Sequence, residues 1–246
     1  MGRWSAGHTT DGARGAPRPP TRRTSALVVS TVLAGPLFVA ALASPASAAT
    51  LVAQWHMGDS THTMLDASGA GRHGTSTSNV LLRQSGATGY GYRFTSTPSY
   101  VTVPSSSAFN PGTSAFSITA KVKYSTTPPG GDVDTYDILR KGFSSSSGGD
   151  YKLEITASGA AHCLFRGSSG LGEVTGSRSL ADGRWHTLTC RRTSSKVTLV
   201  VDGAAKSSTK TTGTISNSTE VMLGAKNSSG HDQFKGSLDE VSVSRG

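Results

Sequence analysis

Residues 182–203 read DGRWHTLTCRRTSSKVTLVVDG, and the pattern of this stretch decides the fold class. Two Asp-Gly pairs, Asp182-Gly183 and Asp202-Gly203, bracket it. Such pairs favour tight hairpin turns, because glycine takes a positive φ at little steric cost. Between them lie two runs rich in Thr, Val and Leu, split by the turn-prone Thr193-Ser194-Ser195. Side chains alternate between the faces of a strand, so His186, Leu188 and Cys190 share one face while Trp185, Thr187 and Thr189 share the other. Val197, Leu199 and Val201 fall together on the second run. With a polar return over 204–209, the stretch predicts a three-stranded antiparallel meander.

The same grammar extends along the chain. Phe116, Ile118, Ala120, Val122 and Tyr124 alternate with Ser117, Thr119, Lys121 and Lys123, the mark of a strand with one buried face. Further β-rich runs fall at 51–56, 92–103, 136–141, 151–157, 161–166, 220–224 and 234–244, punctuated by turns and with no amphipathic helix between them. Some ten to fourteen strands without crossover helices predict an all-β chain, an antiparallel β-sandwich or jelly roll.

The first 48 residues read differently. Arg14, Arg18, Arg22 and Arg23 precede an apolar run over 26–42, and Ala46-Ser47-Ala48 has the small-x-small form of a cleavage site. The expectation is a cleaved signal peptide over 1–48 and a secreted, extracellular domain over 49–246 with no membrane span after cleavage. Arg22-Arg23 evokes twin-arginine export, but Ser25 stands where that signal wants an aromatic residue, which leaves ordinary secretion favoured. Removing the five arginines and one aspartate of this segment takes the formal charge from +9 to +5. The remaining charges are scattered along the sequence, unlike the patch of a nucleic-acid binder, so no nucleic-acid partner is expected. Cys163 and Cys190 are the two cysteines of an exported chain and are expected to pair, two buried thiols being the alternative.

Four segments carry a family resemblance. They begin with Trp55-His56-Met57-Gly58-Asp59, Leu65-Asp66-Ala67-Ser68-Gly69 and Gly71-Arg72-His73-Gly74. Next come Tyr100-Val101-Thr102-Val103-Pro104 with Phe116-Ser117-Ile118-Thr119, then Gly183-Arg184-Trp185-His186 with Val201-Asp202-Gly203. The last is Phe234-Lys235-Gly236-Ser237-Leu238-Asp239-Glu240-Val241. In this order they resemble the laminin G-like jelly-roll domains of the concanavalin A-like lectin/glucanase superfamily, especially those of secreted actinobacterial proteins. The resemblance implies the fold; the ligand is open, because this fold hosts enzymes, lectins and protein-binding modules.

Catalysis is not expected. The superfamily's glucanases place acidic residues at alternate positions of one strand, with carboxyl groups about 5–5.5 Å apart in retaining enzymes. Here Glu154 stands alone, Glu173 lies in a Gly-rich loop, and Asp239 and Glu240 are adjacent and so point to opposite faces. Gly58-Asp59-Ser60 imitates an esterase nucleophile block, but its only Asp-x-x-His match, Asp59 to His62, overlaps it. Trp185 is expected to pack in the core or on the sheet, and His186 to sit within the sheet.

Asp239 stands out as an acidic residue sharing a face with Val241 and Val243, which would bury its charge. The resemblance implies one structural calcium ion between the first and last strands, with Asp239 as a side-chain ligand and Asp59 and Asp66 as weaker candidates. The alternatives are backbone N–H donors or an Arg or Lys partner. For function, a non-catalytic module recognising a polysaccharide or cell-wall glycan is expected, with the loop aromatics Tyr136, Tyr90 and Tyr92 as candidate ligand platforms. The alternative is an interaction or structural module whose partner is an extracellular protein.

Overall fold

A computed structural model describes residues 49–95, 98–131 and 133–246. The signal segment expected over 1–48 lies outside the described residues. Among the described residues sixteen strands form in chain order. The first six are β1 (Thr50–Trp55), β2 (Thr63–Met64), β3 (Gly74–Ser76), β4 (Val80–Ser85), β5 (Tyr90–Phe94) and β6 (Val101–Val103). A 3-10 turn at Ser107–Phe109 follows, then β7 (Phe116–Lys123), β8 (Tyr136–Lys141), β9 (Asp150–Ile155), β10 (Ala161–Gly167) and β11 (Gly170–Thr175). The chain ends with β12 (Trp185–Arg192), β13 (Lys196–Val201), β14 (Ala204–Thr209), β15 (Val221–Leu223) and β16 (Gly236–Arg245).

They pair into two antiparallel eight-stranded sheets. The front sheet runs β14-β13-β12-β7-β16-β5-β4, with β1 also on β16. The back sheet runs β11-β10-β9-β8-β15-β6-β3-β2. The meander of 182–203 forms as expected: β12 pairs with β13 and β13 with β14. Asp202 and Gly203 both take positive φ, 49° and 84°, which matches the twist of a two-residue hairpin. Asp182-Gly183 instead makes the entry to β12, where the Gly183 N–H donates to the carbonyl of Tyr124.

The alternation in β7 is realised residue by residue, with Phe116, Ile118, Ala120 and Val122 buried and their neighbours half-exposed. These side chains meet the inner face of the back sheet. Cys163 of β10 and Cys190 of β12 form a disulfide across this core, Cα to Cα 5.1 Å, and so staple one sheet to the other. Closing a loop of 27 residues contributes about 3–4 kcal/mol in the loop-entropy picture. Trp55, Phe94, Phe109, Phe116, Tyr151, Phe165 and Phe234 fill the rest.

One end of the sandwich is closed by cations rather than by apolar side chains. Lys141 is fully buried, and its Nζ donates to Asn217 O and Oδ1, both at 3.0 Å, to Ser105 Oγ and to Thr219 O. Arg192 donates to Thr212 Oγ1, to Gly213 O and to the carbonyls of Gly112 and Ser114. Burial pushes the Lys141 ammonium down to about 8. A buried cation is tolerable only when oxygens replace its water, and here loop carbonyls do so.

One expectation changes at β16. Its first half pairs with β5 and its second half with β1, and a bulge between Asp239 and Ser242 separates the two. Glu240 takes a φ of 49° there. A bulge adds one residue and so reverses the face of everything beyond it. Asp239 therefore does not share a face with Val241 and Val243: it stands opposite Lys121 on the outer face, while Val243 stands opposite Ile118 on the inner one.

Candidate functional site

The outer face of the front sheet carries the site. In register across five strands stand Trp185 on β12, Lys123 on β7, Ser237 on β16, Arg93 on β5 and Leu81 on β4. Ser237 is small and buried, whereas Lys123 and Arg93 on either side reach outward, so the row has a low middle and charged flanks. A cleft of about 580 Å³ opens over this floor. Lys235, Gln84, Ser125 and Thr126 complete its walls. Lys123 Nζ sits 5.2 Å from the centroid of the half-buried Trp185 ring, a cation–π contact at the edge of the cleft. Trp185 thus packs on the outer face of the sheet and outside the core.

Asp239 shapes one wall. It is completely buried, although it faces outward, because the β4–β5 turn folds over it. Its Oδ2 accepts the backbone N–H groups of Ala87 and Thr88 at 2.8 and 2.9 Å, and its Oδ1 accepts that of Glu240 at 2.9 Å. Lys121 Nζ holds the same turn through Thr88 Oγ1. The approach is close enough that a Cβ on Gly86 would lie 2.8 Å from Asp239 Oδ2, so only glycine fits there. Burial raises the Asp239 carboxyl above its ordinary value, and the three N–H groups oppose that rise.

The three carboxylates of the calcium site that the resemblance implies already accept hydrogen bonds. Both oxygens of Asp239 face N–H donors, whose positive ends would repel a cation. Asp66 is likewise occupied: it accepts the N–H groups of Gln54, Ser68 and Arg72 and pins the turn after β2. Burial would raise its carboxyl, but these bonds outweigh it and the net shift is downward. Asp59 accepts the Tyr92 hydroxyl at 2.8 Å and the Leu65 N–H at 3.3 Å. Among the described residues no group of three or more His, Cys, Asp or Glu side chains converges.

None of the three aromatic platforms lines the cleft. Tyr136 and Tyr92 are 1% and 0% exposed. Tyr136 stands edge-on to Phe234 and donates to Thr127 O, while Tyr92 donates inward to Asp59. Both belong to the core, because they stand within β8 and β5 at positions whose side chains are buried between the sheets. Tyr90 is 48% exposed, with the Arg83 guanidinium 4.3 Å from its ring centroid, and is not part of the cleft.

The back sheet brings together what the sequence kept apart. Asp137 on β8 and Glu154 on β9 are cross-strand partners on the outer face. Arg140 Nη1 lies 2.7 Å from Asp137 Oδ2, Lys152 Nζ 2.6 Å from Glu154 Oε2, and His162 Nδ1 2.7 Å from Glu154 Oε1. Burial pushes Asp137 up to about 7 against the pull of Arg140. Burial would raise Glu154 as well, but His162 and Lys152 outweigh it and hold the carboxyl at about 2. Two carboxyls so split resemble a general acid and its partner. They are 0% and 2% exposed, however, so no substrate can reach them. Nor does the front cleft hold an Asp, Glu, His or Cys among its lining residues.

His186 is held between Asp202, 2.7 Å from Nδ1, and Asp182, 3.0 Å from Nε2, and so fastens the two ends of the meander. Among the described residues, no helix is long and apolar enough to cross a membrane.

The sandwich is similar to solved toxin domains. It superposes on the binding domain of Paraclostridial Mosquitocidal Protein 1 with a TM-score of 0.61 at 16% identity, covering 79% of this chain and 48% of that one. The receptor binding domain of botulinum neurotoxin D gives 0.60 at 12% identity, with 79% and 48% covered. The binding domain of botulinum neurotoxin DC in complex with SialylT gives 0.59 at 14%, with 79% and 47% covered. The chain thus spans about half the length of these structures, and at such identity the likeness is one of fold. No curated protein matches it in sequence. Residues 95–246 match the Laminin_G_3 family, and with both sheets in place the chain belongs to that family of the concanavalin A-like lectin/glucanases superfamily.

Proposed function

We propose that this chain is a secreted, non-catalytic binding module of the actinobacterial laminin G-like type, freed of its first 48 residues on export, which recognises a polysaccharide or cell-wall glycan. The observation that carries the reading is the open cleft on the front sheet. Its walls present hydrogen-bonding side chains, the Trp185 indole lies beside its Lys123, and its lining holds no carboxylate or imidazole to act on a sugar bond. This reading puts the site on a sheet face, away from the loop aromatics that the sequence favoured. Neighbours of the same fold include a binding domain solved with SialylT, which supports a ligand-holding role for the sandwich.

A second reading, a protein-binding module, is favoured by one neighbour, the binding domain of botulinum neurotoxin DC in complex with rat synaptotagmin II. A glycan array with and without EDTA separates the two and tests calcium at the same time. Glycan binding is expected, and chelation is expected to leave it unchanged, since the candidate carboxylates already face N–H and O–H donors. Silence across a broad array, with a protein captured from secreted or cell-surface extract, would replace the first reading by the second.

A further inference from the structure

Several cations elsewhere among the described residues are matched by an acid or by loop oxygens. On the back sheet Arg140 faces Asp137, Lys152 faces Glu154, and Arg166 lies 3.3 Å from Asp150. Arg178 approaches Asp202, and Lys226 approaches Asp232. The deeply buried Lys141 and Arg192 are wrapped by loop oxygens. The front cleft gathers its cations without an acid among its lining residues. Arg93, Lys123 and Lys235 all line it, no Asp or Glu does, and among the described residues none of the three makes an ion pair.

The carboxylate built into this face, Asp239, is turned away from the cleft by the three N–H groups that it accepts. Like charges gathered at one place repel, and of the three only Lys123 has a partner in the fold, the Trp185 ring, while Ser237 between them closes the floor. Strands lie about 4.8 Å apart, so Lys123 and Arg93, with one strand between them, stand roughly 10 Å apart at the backbone. That spacing suits an extended chain bearing successive anionic groups better than one compact anion.

Resting on the glycan-binding reading above, we infer that the ligand of this cleft is a polyanionic polysaccharide, held by Arg93, Lys123 and Lys235, with Trp185 offering an apolar edge beside Lys123. Carboxylate and sulfate groups satisfy this chemistry equally, and the probes distinguish them. Affinity of the full chain is measured for polygalacturonate, heparin and neutral dextran, at low and high salt. One or both acidic polymers are expected to bind and dextran to bind far more weakly. Each of Arg93→Ala, Lys123→Ala and Lys235→Ala is expected to weaken that binding roughly fivefold, the size of a well-placed exposed ion pair. Lys210→Ala, an exposed lysine outside the cleft, removes the same charge and is expected to change nothing.

High salt should weaken the complex, because exposed charges are screened. Equal binding of dextran, insensitive to the three substitutions, would overturn the anionic ligand while leaving the glycan module standing. No binding of any polysaccharide would remove the glycan reading itself. Binding to anionic lipid vesicles that the three substitutions abolish, without binding to either acidic polymer, would move the site to a membrane surface and overturn the inference.

Discussion

The two outer faces of the sandwich are both polar and charged, yet they use charge in opposite ways. On the back sheet Asp137, Arg140, Lys152, Glu154 and His162 are buried or nearly so and are bonded to one another. On the front sheet Arg93 and Lys235 are exposed, Lys123 is half-exposed, and all three surround an open cleft. Removal of one partner from a buried pair leaves an uncompensated charge in a poor solvent. Removal of an exposed cation leaves only water behind. Charges of the first kind are explained by the fold, whereas the anionic-ligand inference rests on three of the second kind meeting around one cleft that no acid lines.

The sharpest way to break this contrast is Arg140→Met. Asp137 Oδ1 already has no hydrogen-bond partner among the described residues, so the substitution would leave the carboxylate with neither donor nor counter-ion. Chemical denaturation should show a loss of about 3–5 kcal/mol, the range for a broken buried pair. Affinity for acidic polysaccharides should not move, and a drop in affinity at intact stability would join the two faces into one site.

Glu154 gives a smaller and pH-dependent effect. Its folded value, about 2, lies below the ordinary 4.5. Between these values the unfolded chain binds the proton more readily, so the stabilisation is complete above about 4.5 and is lost as pH falls towards about 2. The limit is roughly 3 kcal/mol. Thermal melts across this window should fall more steeply for the wild type than for Glu154→Gln. Parallel slopes would mean that the His162 and Lys152 contacts do not hold the carboxylate in solution.

The smallest effect is expected on the front face. Arg93→Ala and Lys123→Ala should each alter the unfolding free energy by no more than about 0.5 kcal/mol, as surface changes usually do. A larger loss would show that these cations serve the sheet, and the contrast between the faces would fail.

Much of the fold was legible. Strict alternation in Phe116 to Tyr124 announced β7, and the paired Asp-Gly signals announced the meander, because burial on one face imposes a period of two on the residues themselves. Cys163 and Cys190 could be paired from their number and from the expected export. The cleft was not legible: Arg93, Lys123 and Lys235 looked like scattered charge until the sheet set them side by side. A search of the sequence for basic residues at outward positions of predicted strands would have found Lys123, and nothing local points from it to Arg93.

The chain by itself determined which residues alternate, where it turns, and that two sheets must close over an apolar interior joined by a disulfide. Those properties follow from short-range sterics and from the burial of side chains a few positions apart. Only the tertiary structure decided which strands are neighbours, and therefore which distant side chains share a surface. It also decided the meaning of Asp239. One extra residue in the bulge after it turned this side chain from the inner to the outer face, where the β4–β5 turn covers it. A pattern of period two has no memory across such an insertion, so the register of the neighbouring strand has the last word.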